Sequence, residues 1–86
     1  MSKIHHLKTV NPHFKDVWFG NKTFELRKND RDFKVCDHLN LMEYDADNKI
    51  FSGRSVICEI VHILENYKGI ESGYCILSIS KVSEHE

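Results

Sequence analysis

Gly53-Arg54-Ser55-Val56-Ile57-Cys58-Glu59-Ile60-Val61-His62-Ile63-Leu64 is the longest β-branched run in the chain. Strand alternation sets Val56, Cys58 and Ile60 on one side and Ile57, Val61 and Ile63 on the other, so apolar side chains leave on both faces. Such a segment belongs in the middle of a sheet, covered on both sides and, at this length, strongly bent. Downstream, the turn-rich stretch 66–73 leads to a last strand over 74–82, with Cys75, Leu77 and Ile79 facing inward against Ser78 and Ser80. The final four residues read as a frayed tail. Upstream, 38–44 alternates Leu39 and Leu41 against Met42 and Tyr44, and Asp45-Ala46-Asp47-Asn48-Lys49 reads as the hairpin turn that joins it to the long strand.

Earlier segments add smaller elements. Residues 23–28 form a half-buried strand, and an apolar-inward rule places Phe24 and Leu26 in the core with Thr23, Glu25 and Arg27 on the opposite face. The polar run Asn29-Asp30-Arg31-Asp32 leaves the sheet as a loop before Phe33 and Val35 return to the core. Phe14, Val17 and Trp18 recur at helical spacing behind Asn11 as N-cap and Pro12 at the first helical position, with Gly20 as the stop, which predicts a two-turn helix over 12–19. So short a helix is held by laying Phe14 and Trp18 on a sheet. Residues 3–9 make a first strand with His5 and Leu7 on one face.

The expected fold is therefore mainly β with a short helix (α+β). Five or six strands form a small barrel with the N-terminal helix packed at its opening, since closure removes exposed strand edges. With 86 residues the chain buries roughly 64% of its unfolded surface, enough for one core, so residues 1–86 are read as a single domain. Its 41% hydrophobic and 29% charged residues, with one proline, are those of a globular and not a disordered chain. No stretch approaches the roughly 18 apolar residues of a membrane span, and Met1-Ser2-Lys3-Ile4-His5-His6 lacks a secretory apolar core, so the expected location is cytoplasmic. Cys36, Cys58 and Cys75 are too widely spaced for a zinc site and odd in number, and read as reduced thiols.

A net charge of −1 conceals an asymmetry: residues 1–34 hold eight Lys/Arg against four Asp/Glu, and residues 35–86 hold four against nine. A basic patch in the first part can attract an anionic partner even in a slightly acidic protein. The densest group of functional side chains lies there. Lys22, Thr23, Glu25 and Arg27 stand on or beside one strand, and Lys28, Asn29 and Arg31 leave it by the loop. Lysine and arginine grip phosphate oxygens, and Glu25 can accept from a base amino group or hold Arg27 in orientation. The bland alternative is a solvated face with a surface ion pair worth about 0–1 kcal/mol.

Gly20-Asn21-Lys22-Thr23-Phe24-Glu25-Leu26-Arg27 resembles the G-x-K-x-x-E-x-R signature of ASCH domains, whose β-barrel is similar to PUA RNA-binding domains. The likeness extends to a branch of small bacterial and phage proteins of unknown function. It runs through His5-His6-Leu7-Lys8, Lys28-Asn29-Asp30-Arg31-Asp32-Phe33, Gly53-Arg54 and Gly73-Tyr74. The resemblance implies a PUA-like barrel whose signature residues line a cleft beside the helix and hold RNA or a nucleotide-like ligand. Where that branch favours Val-Gly-Asp, this chain has Val35-Cys36-Asp37, so a turn glycine is replaced and the local backbone is open to change. Another ASCH branch hydrolyses acylated cytidine with a lysine, a threonine three residues on and a distant glutamate. Lys22 matches the lysine, but Glu25 stands at the threonine position and the glutamate has no counterpart.

The remaining candidates are His5, whose imidazole in a cleft can stack on or bond to a base, Tyr74 and Tyr67 as cleft walls, and Arg54 for phosphate. His5 and His6 point to opposite strand faces and the other histidines are scattered, so no metal site is expected, and no cofactor is implied. Phe14, Trp18, Phe24 and Phe33 read as core. The leading reading is a module that holds single-stranded RNA or a nucleotide in a cleft lined by Lys22, Glu25 and Arg27. The alternative is a small hydrolase acting on a modified nucleoside or on RNA, with Glu25 as base and Lys22 stabilising an oxyanion. A third is a protein-interaction domain using the acidic second half, Glu65 and Glu71 included.

Overall fold

The long β-branched run lies within one strand of 16 residues, β4 (Ile50–Glu65). In the computed structural model, which describes residues 2–86 and so leaves Met1 of the expected domain outside, it is preceded by β1 (Ile4–Thr9), α1 (His13–Trp18), β2 (Phe24–Lys28) and β3 (His38–Asp45) and followed by β5 (Tyr74–His85). The five strands make one sheet in the order β1-β3-β4-β5-β2, so β4 is central, as its composition requires. β1 runs parallel to β3, and every other neighbouring pair is antiparallel. No helix among the described residues is long and apolar enough to cross a membrane.

Bulges bend β4. Opposite β5 the pairing passes from Ile60 with Ile79 to His62 with Ser78 and skips Val61, which is 50% exposed. That extra residue changes the strand's phase: Val56, Cys58 and Ile60 face the core before it, and Ile63 packs against the core after it. The expected cover on both faces is therefore corrected: the phase change at the bulge turns Ile63 toward the core, while Ile57, ahead of the bulge, is half-buried on the outer face. A second irregularity opposes Glu43 of β3 to Ser52, Gly53 and Arg54, where Gly53 takes φ +95°. A third skips Val82 of β5 and carries the pairing on to Ser83, Glu84 and His85, so most of the expected frayed tail is strand.

The core is built from Leu39, Leu41, Val56, Cys58, Ile60 and Leu77, all fully buried, closed at one side by Phe14 and Val17 of α1. Helix α1 starts one residue later than expected, with Pro12 at the N-cap position, while Asn11 Oδ1 still accepts the Lys15 amide at 3.0 Å. Gly20, at φ +80°, ends it. Burial pushes the Cys58 thiol up to about 11, with the nearby Glu25 charge adding to the rise against Lys81. Phe33 returns to the core as expected but Val35 is half exposed, because Cys36 takes φ +79° and turns the chain so that Asp37, not Val35, enters the interior.

The sheet curls into a half-barrel and does not close: β1 and β2 are its two edges, and among the described residues no strand ladder joins them. The closed barrel expected from the number of strands is thus corrected. Strand β2 also faces the other way from the apolar-inward expectation. Its register sets Glu25 opposite Leu77 and Arg27 opposite Cys75, and residues paired across a ladder share a face, so the charged pair points inward. Phe24 and Leu26, paired with Ser78 and Ile76, point outward and are 48% and 58% exposed.

Candidate functional site in the open seam

A carboxylate turned into an open seam must be neutralised there, and Glu25, 2% exposed, is. Its Oε1 accepts from Arg27 Nη2 at 2.8 Å and Nε at 3.2 Å, and its Oε2 accepts from Lys22 Nζ at 2.7 Å. Arg27 then reaches across to β1, donating to the Lys8 carbonyl at 3.2 Å and to Thr9 Oγ1 at 3.1 Å. One guanidinium fork therefore ties the two edge strands together where backbone hydrogen bonds do not. Lys22 has a second contact, 3.3 Å from His13 Nδ1 at the start of α1, and its ammonium lies 5.3 Å from the centre of the Phe24 ring.

Beside this trio opens a cleft of about 650 Å³ between β1, α1 and β2. Its walls include Lys22, Glu25 and Arg27 with His13, Asp16, Asn21 and the outward-turned Phe24. A groove of about 420 Å³ adjoins it on the far side of the Arg27 bridge and includes Lys8, Lys28, Arg31, Asp30 and Phe51. The chemistry on offer is recognition of an anion carrying a flat apolar group: fixed cations, an exposed aromatic ring, and polar groups of α1 at the rim.

Residues 4–79 match the family model described as a domain of unknown function, DUF3850. The chain belongs to the DUF3850 family. No curated protein matches it.

Of the residues singled out from sequence, this DUF3850 domain brings Lys22, Glu25 and Arg27 together in the cleft, and Lys28 and Arg31 in the adjoining groove. Thr23 is exposed, and its carbonyl accepts the Ile79 amide at 3.0 Å. Asn29 donates to Glu65 Oε2 at 2.9 Å and its Oδ1 caps the Phe33 amide. Tyr74 is half-buried opposite Lys28 on the β2–β5 ladder, and Tyr67 is exposed.

Two expected site residues prove to have structural partners instead. His5 is buried, with Nε2 2.8 Å from Asp37 Oδ2 and its ring edge-on to Phe33. Burial would raise the Asp37 carboxyl, but the His5 hydrogen bond and the Lys3 and Lys34 amides outweigh it and hold the group below the usual carboxylate range. Arg54 forks onto Glu43, with Nε 2.9 Å from Oε1 and Nη2 3.0 Å from Oε2, and lies 5.2 Å from the Trp18 ring centre. Asn11 and Ser52 complete Glu43's shell, and these bonds overcome burial to keep its carboxyl low as well.

Sequence reasoning missed His13, Asp16, Phe24 and Phe51. His13 and Asp16 were within reach: with Phe14 and Val17 facing the core, i and i+3 spacing puts these two together on another face of α1. Phe24 was hidden by the inverted facing of β2. Among the described residues no three His, Cys, Asp or Glu side chains gather as a metal site.

Proposed function

We propose that the seam cleft binds a nucleotide unit of single-stranded RNA or a nucleotide-like ligand, and that the half-barrel is a PUA-like scaffold of the kind the ASCH resemblance implies. The observation that carries the reading is the buried Glu25, which fixes Lys22 and Arg27 beside an exposed Phe24 at the cleft. A base lies on the Phe24 ring, Lys22 takes a phosphate oxygen, and His13 and Asn21 offer polar edges for the base. Arg27 has four of its five N–H donors' worth of contacts inside the protein, so it acts by holding Lys22, Glu25 and β1 in place rather than as a free phosphate fork.

The hydrolytic reading has less support. Glu25 is almost wholly buried and both its oxygens are engaged by cations, which leaves it poorly placed to take a proton from water in the cleft.

The test is a fluorescence titration of labelled single-stranded RNA, hairpin RNA and free nucleotides at low and moderate salt, with wild type beside a Lys22→Ala, Phe24→Ala double variant. Salt-sensitive binding that the double variant loses is the expected result. Absence of binding, or equal binding by the variant, overturns the reading and directs attention to hydrolysis of modified nucleosides.

A further inference from the structure

The second groove distinguishes a polymer from a single nucleotide. It shares Lys8 and Arg27 with the cleft, so the two cavities follow one another along the seam: residues 8–10 of the chain line the first and 6–8 the second, opposite 22–27 and 27–31 respectively. The two cations that it does not share with the cleft, Lys28 and Arg31, differ in state from Lys22 and Arg27. Lys22 and Arg27 are each tied to Glu25, whereas Lys28 and Arg31 are exposed and their side chains make no hydrogen bond or ion pair among the described residues. Among the described residues Asp30 is the one carboxylate lining the groove, against Lys8, Arg27, Lys28 and Arg31, so the groove stays electropositive. An aromatic surface is present too: Phe51, 47% exposed, leans on Tyr44 with ring centres 4.8 Å apart, and Lys8 Nζ lies 4.7 Å over the Tyr44 ring.

Free cations beside an exposed ring repeat, in a second place, what one nucleotide would need. A mononucleotide fills the first cleft and leaves this set idle. We infer that the ligand is a single-stranded oligonucleotide of at least two nucleotides laid along the seam, its second base against Phe51 and the connecting phosphate on Lys28 and Arg31. This inference rests on the proposed nucleotide site.

The experiment titrates the intact protein with uridine monophosphate and with a labelled oligouridine octamer. Wild type is compared with Lys28→Ala, Arg31→Ala and with Phe51→Ala; all three positions are exposed, and circular dichroism confirms that each variant folds. The octamer is expected to bind wild type at least tenfold more tightly than the monophosphate. Each variant weakens the octamer by about fivefold or more and leaves the monophosphate within twofold. Equal affinity for both ligands in wild type, or unchanged octamer binding by both variants, overturns the inference while monophosphate binding keeps the first site. Failure of both ligands to bind overturns the two together. An oligoglutamate of matching charge that binds as tightly as the octamer, with Phe51→Ala without effect, shows a bare cationic patch and also overturns it.

Discussion

Arg27 and Lys22 both neutralise Glu25, but they are not equivalent. Arg27 alone spans the seam, with bonds to Glu25, the Lys8 carbonyl and Thr9, while Lys22 adds one short contact to Glu25 and a longer one to His13 from a turn. Removing a partner from a buried carboxylate is costly, and the partial exposure of Arg27 moderates the usual 3–5 kcal/mol, so Arg27→Ala is expected to destabilise by about 2–3 kcal/mol and Lys22→Ala by about 1 kcal/mol. Arg27→Lys should recover less than half of the loss, since an ammonium cannot reproduce the fork. Urea unfolding followed by Trp18 fluorescence measures all three; equal losses for the two alanine variants would show that the seam is not held by the guanidinium.

Asp37 has a pH signature of its own. Its carboxyl sits below its ordinary value of 3.8 in the folded protein, so the folded state binds fewer protons than the unfolded one there. The stabilisation is complete above the unfolded value and is lost as pH falls through the lower folded one. Glu43, held below 4.5, adds to the same acid limb. Asp37→Asn is therefore expected to cost about 2 kcal/mol near neutrality, with the gap to wild type narrowing only below about pH 4. Urea midpoints from pH 7 to 2.5 read this directly, and a gap that widens in acid would contradict it.

At the level of elements, the sheet was legible wherever alternation sets leucine, isoleucine or cysteine on the inward face, even where His5, Thr9 or Glu43 shares it. Leu39 and Leu41 of β3, Cys75, Leu77 and Ile79 of β5, and His5 and Leu7 of β1 face inward as alternation requires. Alternation gives a period but not a phase, and β2 shows the consequence. Phe24-Glu25-Leu26-Arg27 fits two facings, and the ladder with β5 selects the one that buries Glu25 because an open edge lets Lys22 and Arg27 reach it. The bulge at Val61 was equally invisible, since an extra residue leaves no mark on composition. Cys36 belongs to the same class: it takes φ +79°, a conformation that favours glycine, with no glycine to mark it in the sequence.

The end of β5 was misread for a similar reason. Ser83-Glu84-His85 has no apolar residue, yet it pairs with Ile57, Val56 and Ser55 beyond the bulge at Val82. Deleting residues 83–86 should therefore lower stability by about 1–2 kcal/mol through lost ladder bonds, or roughly 5–10 °C in the melting midpoint for a domain of this size. A melting curve unchanged by the deletion would mean that this stretch frays in solution.

For the molecule as a whole, charge is sorted by topology. The N-terminal third supplies β1, α1 and β2 and with them the cations of the seam, whereas the acidic remainder builds β3, β4 and β5. Curling the sheet brings its two basic edges face to face, so a protein of net charge −1 presents one electropositive line. The sequence-level asymmetry pointed to that patch, but only the unclosed sheet gives it a shape. Local and overall charge then make different predictions about salt. Were the net charge to govern, added salt would screen repulsion and strengthen binding of an oligonucleotide. With Lys22 on one phosphate and Lys28 and Arg31 sharing the connecting one, two contacts at about 0.7 each give a log–log slope near −1.4, a loss of about 7-fold between 50 and 200 mM salt. Titrating the oligouridine octamer across that range decides the matter: a slope near zero removes phosphate contact from the seam, and one steeper than about −4 requires a footprint larger than the two cavities supply.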